Sequence, residues 1–166
     1  MHIVHRGRLF VLFGVISALL AAVPAMAAVD AYMTVTGAKQ GPIKGNGGSE
    51  NIHLISVVRD TPRETGMSTG RRTHSTITVV REVDAASPKF ATALVNNETM
   101  RTVTITFQGG SRGEKTAQRI VLTNATILSV RKAGGDKEQI TFDYQKIEVT
   151  WTDGGKTMAD DWNAPS

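Results

Sequence analysis

Cysteine is absent from the 166-residue chain. No disulfide can therefore staple the fold, and no thiolate is available as a nucleophile or metal ligand. Long apolar runs are also missing, because the one over residues 9–23 has 15 residues, fewer than the roughly 18 expected of a membrane-spanning helix. A strong charge of one sign is lacking too. The formal net charge is +4, basic and acidic residues are interspersed, and this balance gives no argument for a nucleic-acid partner.

The first 27 residues have the three-part pattern of an export leader. Basic residues precede the apolar run, and small residues, Ala25 and Ala27, follow it. This order is typical of a cleavable signal peptide. We therefore predict a signal peptide over residues 1–27 and a single domain over residues 28–166, with no membrane segment after the leader is removed.

Beyond the leader, apolar and polar residues alternate with the period of two that indicates β-strands. The pattern predicts strands over residues 32–36, 51–58, 75–82, 101–108 and 140–151, and either a strand pair or one long bent strand over residues 118–132. Gly109–Thr116 nearly imitates a phosphate-binding loop, but strands flank it on both sides, so we predict a hairpin turn. The total of seven or eight strands favours a closed barrel or a sandwich.

The last of these strands changes phase. Its apolar residues move from even positions, ending at Tyr144, to odd positions, beginning at Ile147. Such a shift predicts a β-bulge near Gln145–Lys146. Trp151 follows in the new phase, and we expect it in the core.

One helix is predicted, beginning at Ser87 and ending at Asn96–Asn97. Ser87 is a favourable N-cap residue, and Pro88 suits the first helical position because its missing N–H costs nothing there. Phe90 and Leu94 then lie on one face. The helix is short, so its packing on a sheet must stabilise it.

No catalytic or cofactor chemistry is predicted. His53 and His74, the two histidines outside the leader, lie on separate elements and make a poor metal set without cysteine. The Asp160–Asp161 pair lies in what the sequence indicates is a tail, where no scaffold positions it for acid–base work. No serine has the Gly-x-Ser-x-Gly context of a nucleophile elbow. We expect a protein without catalytic, metal or cofactor residues.

The C-terminal block, residues 140–162, combines a bulged strand, a glycine break and an Asp-Asp-Trp ending. This block resembles the end of the haemolysin-coregulated proteins (Hcp) of bacterial type VI secretion systems. The resemblance continues at residues 31–37, at residues 72–90, where a strand leads into a Ser-Pro helix start, and at residues 123–130. Met26 also looks like an ordinary family start, so Met26 as the initiator is the alternative to a leader.

The resemblance implies a single β-barrel of two packed antiparallel sheets with one short flanking helix. It further implies hexameric rings that stack into a secreted inner tube and carry or chaperone effectors. The partners would be copies of the chain itself and the spike, sheath and effector proteins of the apparatus. The leader departs from the family pattern. An exported Hcp-fold binding module that acts outside the cytoplasm without a sheath is therefore the alternative function.

Two regions are candidates for subunit contacts. A long connection over residues 59–72 is rich in arginine, and it can reach an acidic neighbour or cargo, or be a solvated loop. The C-terminal block supplies an acidic pair and an aromatic anchor. The candidate interface residues are Arg59, Arg63, Arg71, Arg72, Asp160, Asp161 and Trp162.

Overall fold

The computed structural model describes residues 30–60, 75–109, 115–152 and 155–161. These residues form nine antiparallel strands and one α-helix. The strands are β1 Asp30–Gly37, β2 Gly41–Ile43, β3 Ile52–Leu54, β4 Ser56–Asp60, β5 Thr76–Glu82, β6 Thr99–Gly109, β7 Lys115–Lys132, β8 Lys137–Trp151 and β9 Lys156–Asp161. Helix α1, Ser87–Val95, lies between β5 and β6, and a 3-10 turn, Asn46–Gly48, lies between β2 and β3. The predicted fold class, mainly β with one short helix, is confirmed.

The strands form one curved sheet in the order β2-β1-β6-β7-β8-β5-β4. Strand β3 pairs with β1, whereas β4 pairs with β5, and only Ile55 separates β3 from β4. The Ile55 N–H donates to the Val80 carbonyl at 2.7 Å. The segment 52–60 therefore reaches both ends of the strand order, and the sheet wraps around one core in a barrel-like shape. This change of partner also explains the mixed phase of the predicted strand 51–58.

The core lies inside this curved sheet and follows the alternation of the strands. On β6, Val103 and Ile105 are buried while the threonines between them are partly exposed. Burying one large aliphatic or aromatic side chain contributes about 1.5–3 kcal/mol. Helix α1 adds Phe90 and Ala93 to the core and packs against β7.

A phase shift crosses three neighbouring strands at one level of the sheet. On β8 the buried set changes phase between Tyr144 and Ile147, as predicted. The prediction of a β-bulge near Gln145–Lys146 was wrong, because β7 and β8 keep one register there, from Thr123 opposite Lys146 to Ala125 opposite Tyr144. The same shift occurs between Leu122 and Ala125 on β7, and between Met100 and Val103 on β6. We call this line, through Arg101, Asn124 and Gln145, the crease. Asn124 has a φ of 50° there, and its Nδ2 donates to Gln145 Oε1 at 2.9 Å. Residues 118–132 are thus one bent strand.

The start of α1 differs from the prediction. Ala86 occupies the N-cap position and Ser87 is the first helical residue, so the prediction of Ser87 as the N-cap was wrong. Asp84 takes over the capping role, because its Oδ1 accepts the Ala86 N–H at 2.8 Å. The Ser87 hydroxyl instead donates to Glu138 at 2.9 Å. The predicted end is confirmed at Asn97, whose φ of 47° terminates the helix.

Two predictions for the C-terminal block were wrong. Trp151 is 39% exposed rather than buried, because it is the last residue of β8 and lies at the rim of the sheet. Asp160 and Asp161 belong to strand β9 rather than to a tail, and Asp161 pairs with Lys146. By contrast, Gly109 pairs with Lys115, so the predicted hairpin between β6 and β7 is confirmed.

Candidate functional site

Strand β9 is an edge strand at the C-terminal half of β8. Trp151 pairs with Lys156 at one end of this hairpin, and Lys146 pairs with Asp161 at the other. Among the described strands, β9 pairs with β8 only. Its residues 156–159 are exposed. An exposed edge strand carries backbone groups that another chain can pair with, so β9 is a natural docking edge for a further strand.

Two apolar side chains lie beside this edge on the core-side face of the sheet. Met158 pairs with Val149, which is buried, and Trp151 is two residues further along β8. Trp151 and Met158 are each 39% exposed. Tryptophan and methionine are enriched in protein interfaces, where they supply large apolar contact areas. We call β9 together with Trp151 the β9 surface.

The predicted interface residues Arg59 and Asp160 meet near one side chain, Tyr144. Arg59 is exposed on β4 opposite Ile77, and Asp160 is half-buried on β9 opposite Ile147. Arg59 therefore belongs to a strand and not to the loop after it. Tyr144 is buried in the middle of β8, between the parts of β8 that pair with β5 and with β9.

Burial is the main reason that the pKa of Tyr144 is raised above its ordinary value. The charge of Arg59 and the hydroxyl of Ser75 act in the opposite direction, and the charge of Asp160 adds to the rise. Tyr144 Oη makes no geometrically regular hydrogen bond within the described part of the chain. Arg59, near the end of β4, and Asp160, near the end of β9, thus both influence the same buried phenol.

The other candidate interface residues lie outside the described residues: Arg63, Arg71, Arg72 and Trp162. The structure thus brings Arg59, Asp160 and the neighbouring Asp161 to one part of the molecule. Their role in subunit contact stays a prediction.

A buried charged cluster, which the sequence analysis did not identify as a site, connects α1 to the sheet. Arg81 on β5 is 1% exposed, and its Nη1 donates to Glu138 Oε1 on β8 at 2.8 Å. Its Nη2 donates to Asp84 Oδ1 just before the helix. The guanidinium carbon lies 5.3 Å from the centre of the Phe90 ring, within the range of a cation–π contact. We call these residues, with Ser87, the Arg81 cluster.

Burial by itself would raise the pKa of Asp84, but the hydrogen bond and charge of Arg81 and the Ala86 and Asn46 N–H groups outweigh it. The pKa of Asp84 is therefore lowered. The sequence carried one signal for this cluster. In the alternation of β5, Arg81 falls in the inward phase after Ile77 and Val79, and a buried cation requires paired acids.

A second buried carboxylate, Glu98, holds the connection between β1 and β2. Its Oε1 accepts the N–H groups of Lys39 and Gln40 at 2.7 and 2.8 Å, and its Oε2 accepts Gln40 Nε2 at 3.0 Å. A Cβ at Gly37 would overlap Glu98 Oε1, so this position requires glycine. Burial alone would raise the pKa of Glu98, but these three hydrogen bonds, with the charge of Lys39, leave it below its ordinary value.

The surroundings of His53 are not typical of a metal ligand. His53 is exposed and stands edge-on to the Tyr32 ring at 5.4 Å, with Nε2 at 3.9 Å from Asp30 Oδ1. His74 lies outside the described residues. Across residues 30–60, 75–109, 115–152 and 155–161, no group of three or more potential ligands could hold a metal ion. In those same ranges, no helix is both long enough and apolar enough to span a bilayer.

A family model described as "Type VI secretion system effector, Hcp" matches residues 32–151. The chain is also similar to the "Major exported protein" of Pseudomonas aeruginosa. The two are 26% identical over 170 residues, which cover 83% of this chain and 98% of the relative. The matched range begins in β1 and ends at the last residue of β8.

Solved structures show the same fold. A variant of Hcp1 from E. coli EAEC 042 aligns with a TM-score of 0.69 at 21% identity, and covers 82% of this chain and 100% of its own. The secreted protein Hcp3 from Pseudomonas aeruginosa aligns with a TM-score of 0.68 at 25% identity, and covers 80% and 99% respectively. The fold described above therefore spans the full length of these relatives.

Proposed function

The chain belongs to the Hcp family of type VI secretion effectors, and from this premise we propose that it is a tube-forming subunit. In this proposal, hexameric rings of the chain stack into a tube that carries or chaperones effectors and is itself secreted. The partners are further copies of the chain and the spike, sheath and effector proteins of the apparatus. The chain acts by assembly and not by catalysis.

The β9 surface carries this proposal. It combines an exposed edge strand with two large, partly exposed apolar side chains, Trp151 and Met158. In a ring, the same surface of every copy contacts a different surface of the next copy, which is a head-to-tail arrangement. Such a contact would cover the edge of β9 and remove Trp151 from water. The occupant that fits is a second copy of this chain, because family membership supplies the partner and the exposed edge supplies the mode of contact.

The residues around Tyr144 support a fixed position for the β9 surface. Asp160, at the C-terminal end of β9, acts on the pKa of Tyr144 together with Arg59 of β4, and the neighbouring Asp161 pairs with Lys146 of β8. At its other end, Lys156 pairs with Trp151. A surface held in one orientation can contact a neighbour without a large loss of conformational entropy.

Negative-stain electron microscopy of the purified chain tests the proposal. Rings of uniform diameter, with stacks of rings at high concentration, are the expected images. Separate small particles at every concentration would contradict the tube and favour the second function, an exported binding module of the same fold. The leader pattern of residues 1–27 is the observation that favours that second function.

The N-terminal sequence of the native protein decides between the two export routes. A mature chain beginning at Ala28 indicates a cleaved leader and export across the inner membrane before any sheath is met. A chain beginning at Met26 indicates a cytoplasmic subunit delivered by the type VI apparatus. Mass spectrometry of the native N-terminus distinguishes these outcomes from a chain that retains Met1.

The arginine-rich connection is proposed as a second contact. Arg71 and Arg72 lie in its second half, and replacing both with glutamate is expected to weaken ring formation while the fold persists. Circular dichroism checks the fold, and a sizing column checks the assembly. An unchanged assembly would contradict the role of this connection. It would not bear on the β9 surface, so the two contacts are tested by separate experiments.

A further inference from the structure

The 3-10 turn between β2 and β3 contains an Asn–Gly dipeptide, Asn46–Gly47. All three turn residues are exposed, and Gly47 and Gly48 have φ values of 66° and 77°. We propose that Asn46 is a self-modification site, at which the amide nitrogen of Gly47 attacks the side-chain carboxamide and converts asparagine to aspartate and isoaspartate. This inference does not depend on the proposed assembly.

The reaction is balanced without an oxidant, a cofactor or an enzyme. The Gly47 nitrogen forms a bond to Asn46 Cγ, and the bond from Cγ to Nδ2 breaks. Nδ2 leaves as ammonia and takes the proton of the Gly47 amide. Water then opens the resulting five-membered imide at one of its two carbonyl carbons. Opening at Cγ gives aspartate, and opening at the main-chain carbonyl gives isoaspartate, so one water is consumed and one ammonia is released.

The attacking group is accessible. Gly47 has no side chain, and a Cβ built there would meet no atom within 4 Å. Within the described part of the chain, no residue accepts a hydrogen bond from the Gly47 amide. The Gly47 nitrogen can therefore approach Asn46 Cγ without first breaking a hydrogen bond or displacing another residue.

The group under attack is polarised. The Ala85 N–H donates to Asn46 Oδ1 at 3.3 Å, and negative charge develops on this oxygen as the new bond forms. A hydrogen-bond donor aimed at a developing oxyanion stabilises the transition state. The Asn46 carboxamide thus has a backbone donor on its oxygen and a free nucleophile next to it in the chain.

Ring closure requires Asn46 to leave its helical backbone conformation, and the turn resists this only weakly. It is a single 3-10 turn closed by long hydrogen bonds, Gly48 N to Gly45 O at 3.2 Å and Ser49 N to Asn46 O at 3.4 Å. Short exposed turns with few buried contacts open at low free energy. Each conversion then places a new negative charge beside Asp84, whose Oδ2 accepts the Asn46 N–H at 3.2 Å.

The chain contains its own internal controls. Four other exposed asparagines of the described residues precede residues with side chains, which hinder attack by the following nitrogen: Asn51, Asn96, Asn97 and Asn124. Asn124 is the most informative control, because its φ of 50° is left-handed, as in the two glycines of the turn, but the next residue has a side chain. Slow conversion at Asn124 would show that a left-handed backbone is not sufficient for the reaction. The folded protein is incubated at mildly alkaline pH and digested, and the peptides are quantified by mass spectrometry with fragmentation that distinguishes isoaspartate. Conversion at Asn46 is expected to be at least about tenfold faster than at the four controls.

A rate at Asn46 no higher than at Asn51, Asn96, Asn97 and Asn124 would overturn the proposal. A matched pair of variants tests the nucleophile itself. Gly47→Ala and Gly48→Ala both place a Cβ in open space at a left-handed φ, so both strain the turn similarly. Only Gly47→Ala hinders the attacking nitrogen, and it is expected to slow conversion about tenfold while Gly48→Ala does not. Equal rates in the two variants would also overturn the proposal. Asn46→Gln, which retains both glycines, provides a non-reacting reference if Gly47→Ala does not fold.

Discussion

Arg81 is the residue on which the connection between α1 and the sheet depends. It pairs with Glu138 on β8 and with Asp84 before α1, and it lies against the Phe90 ring. A buried ion pair adds little net stability over an apolar pair, but removing one partner leaves an uncompensated buried charge. The alternation of β5 was sufficient to predict that Arg81 points inward. Its partner Glu138 could not be predicted, because it is 57 residues away in the chain.

Replacing Arg81 with alanine is expected to lower the free energy of unfolding by about 3–5 kcal/mol, since Glu138 and Asp84 lose their common cation. Urea denaturation followed by circular dichroism measures this change. Arg131→Ala is the matched control, because Arg131 is exposed on β7, and its effect should stay within about 0.5 kcal/mol. Similar stabilities for the two variants would contradict the structural role of Arg81.

Glu98 makes stability depend on acid pH. Because the pKa of Glu98 is lower in the folded chain than in the unfolded chain, its contribution is fully present above the unfolded value of about 4.3. It is lost as pH falls from there through the lower folded value. Asp84 has a lowered pKa as well and acts in the same direction. Acid should therefore destabilise the protein in the range where ordinary carboxylates begin to protonate.

The variant Glu98→Gln is expected to be less stable than the wild type at neutral pH, with the difference shrinking as the pH falls below about 4. Urea denaturation at a series of pH values measures this. Glu50→Gln is the control, since Glu50 is exposed and pairs with the exposed Lys44 at 3.3 Å. Its stability curve should run parallel to that of the wild type. A constant difference between Glu98→Gln and the wild type at all pH values would rule out the proposed titration.

At the scale of elements, the crease lets long strands bend into a barrel-like sheet. Asn124 adopts a φ of 50° there and bonds to Gln145. Asparagine tolerates this left-handed backbone, whereas β-branched residues do not. A bend on three adjacent strands at one level turns the sheet without breaking its strand order. This is the function that bulges serve at the corners of barrels.

Asn124→Val should therefore lower the free energy of unfolding by about 1–2 kcal/mol through backbone strain. The loss of the hydrogen bond to Gln145 adds to this effect. Asn124→Gly also loses that bond but accepts the positive φ, so it is the matched control. Thermal unfolding of both variants gives the comparison. If valine and glycine have equal effects, the backbone conformation at the crease is not what stabilises the bend.

The alternation of apolar and polar residues predicted the strands that keep the same neighbouring strands along their length, such as β6. It also predicted the phase shift in β8. It did not predict the boundary between β3 and β4. This boundary lies at Ile55, where the chain stops pairing with β1 and begins to pair with β5. The sequence does not predict strand β9, because most of its residues are polar and none is buried, so its pairing with β8 leaves no alternation of apolar and polar residues. The capping role of Asp84 was not predicted, because Ser87 is itself a residue type favoured at the N-cap.

At the scale of the whole molecule, β9 has an edge that the other described strands leave unpaired. The family resemblance predicted assembly, but the candidate residues came from charge and aromatic content. Met158 was not among them, because its exposure next to Trp151 depends on the β8–β9 hairpin. Arg59 and Asp160 were among them, and the structure brings both beside Tyr144 within one chain.

Met158→Lys should disrupt assembly and leave the fold intact, because a charge on a partly exposed side chain is tolerated in the single chain but costs free energy when a neighbour covers it. Val95→Lys is the control. Val95 is an apolar residue at the end of α1 that is 84% exposed, and it lies outside the β9 surface. Sizing chromatography of both variants, with circular dichroism for the fold, provides the measurement. Equal assembly in the two variants would contradict a contact through Met158.

The mass of the assembled particle is the most direct test of the account. Sedimentation equilibrium of the chain over residues 28–166 across a wide range of concentrations gives this mass without reference to shape. A ring of self-contacting subunits predicts a mass close to that of a hexamer, with larger species as the concentration rises. The mass of a single chain at every concentration would show that the edge of β9 needs no neighbour, and it would contradict the proposed tube.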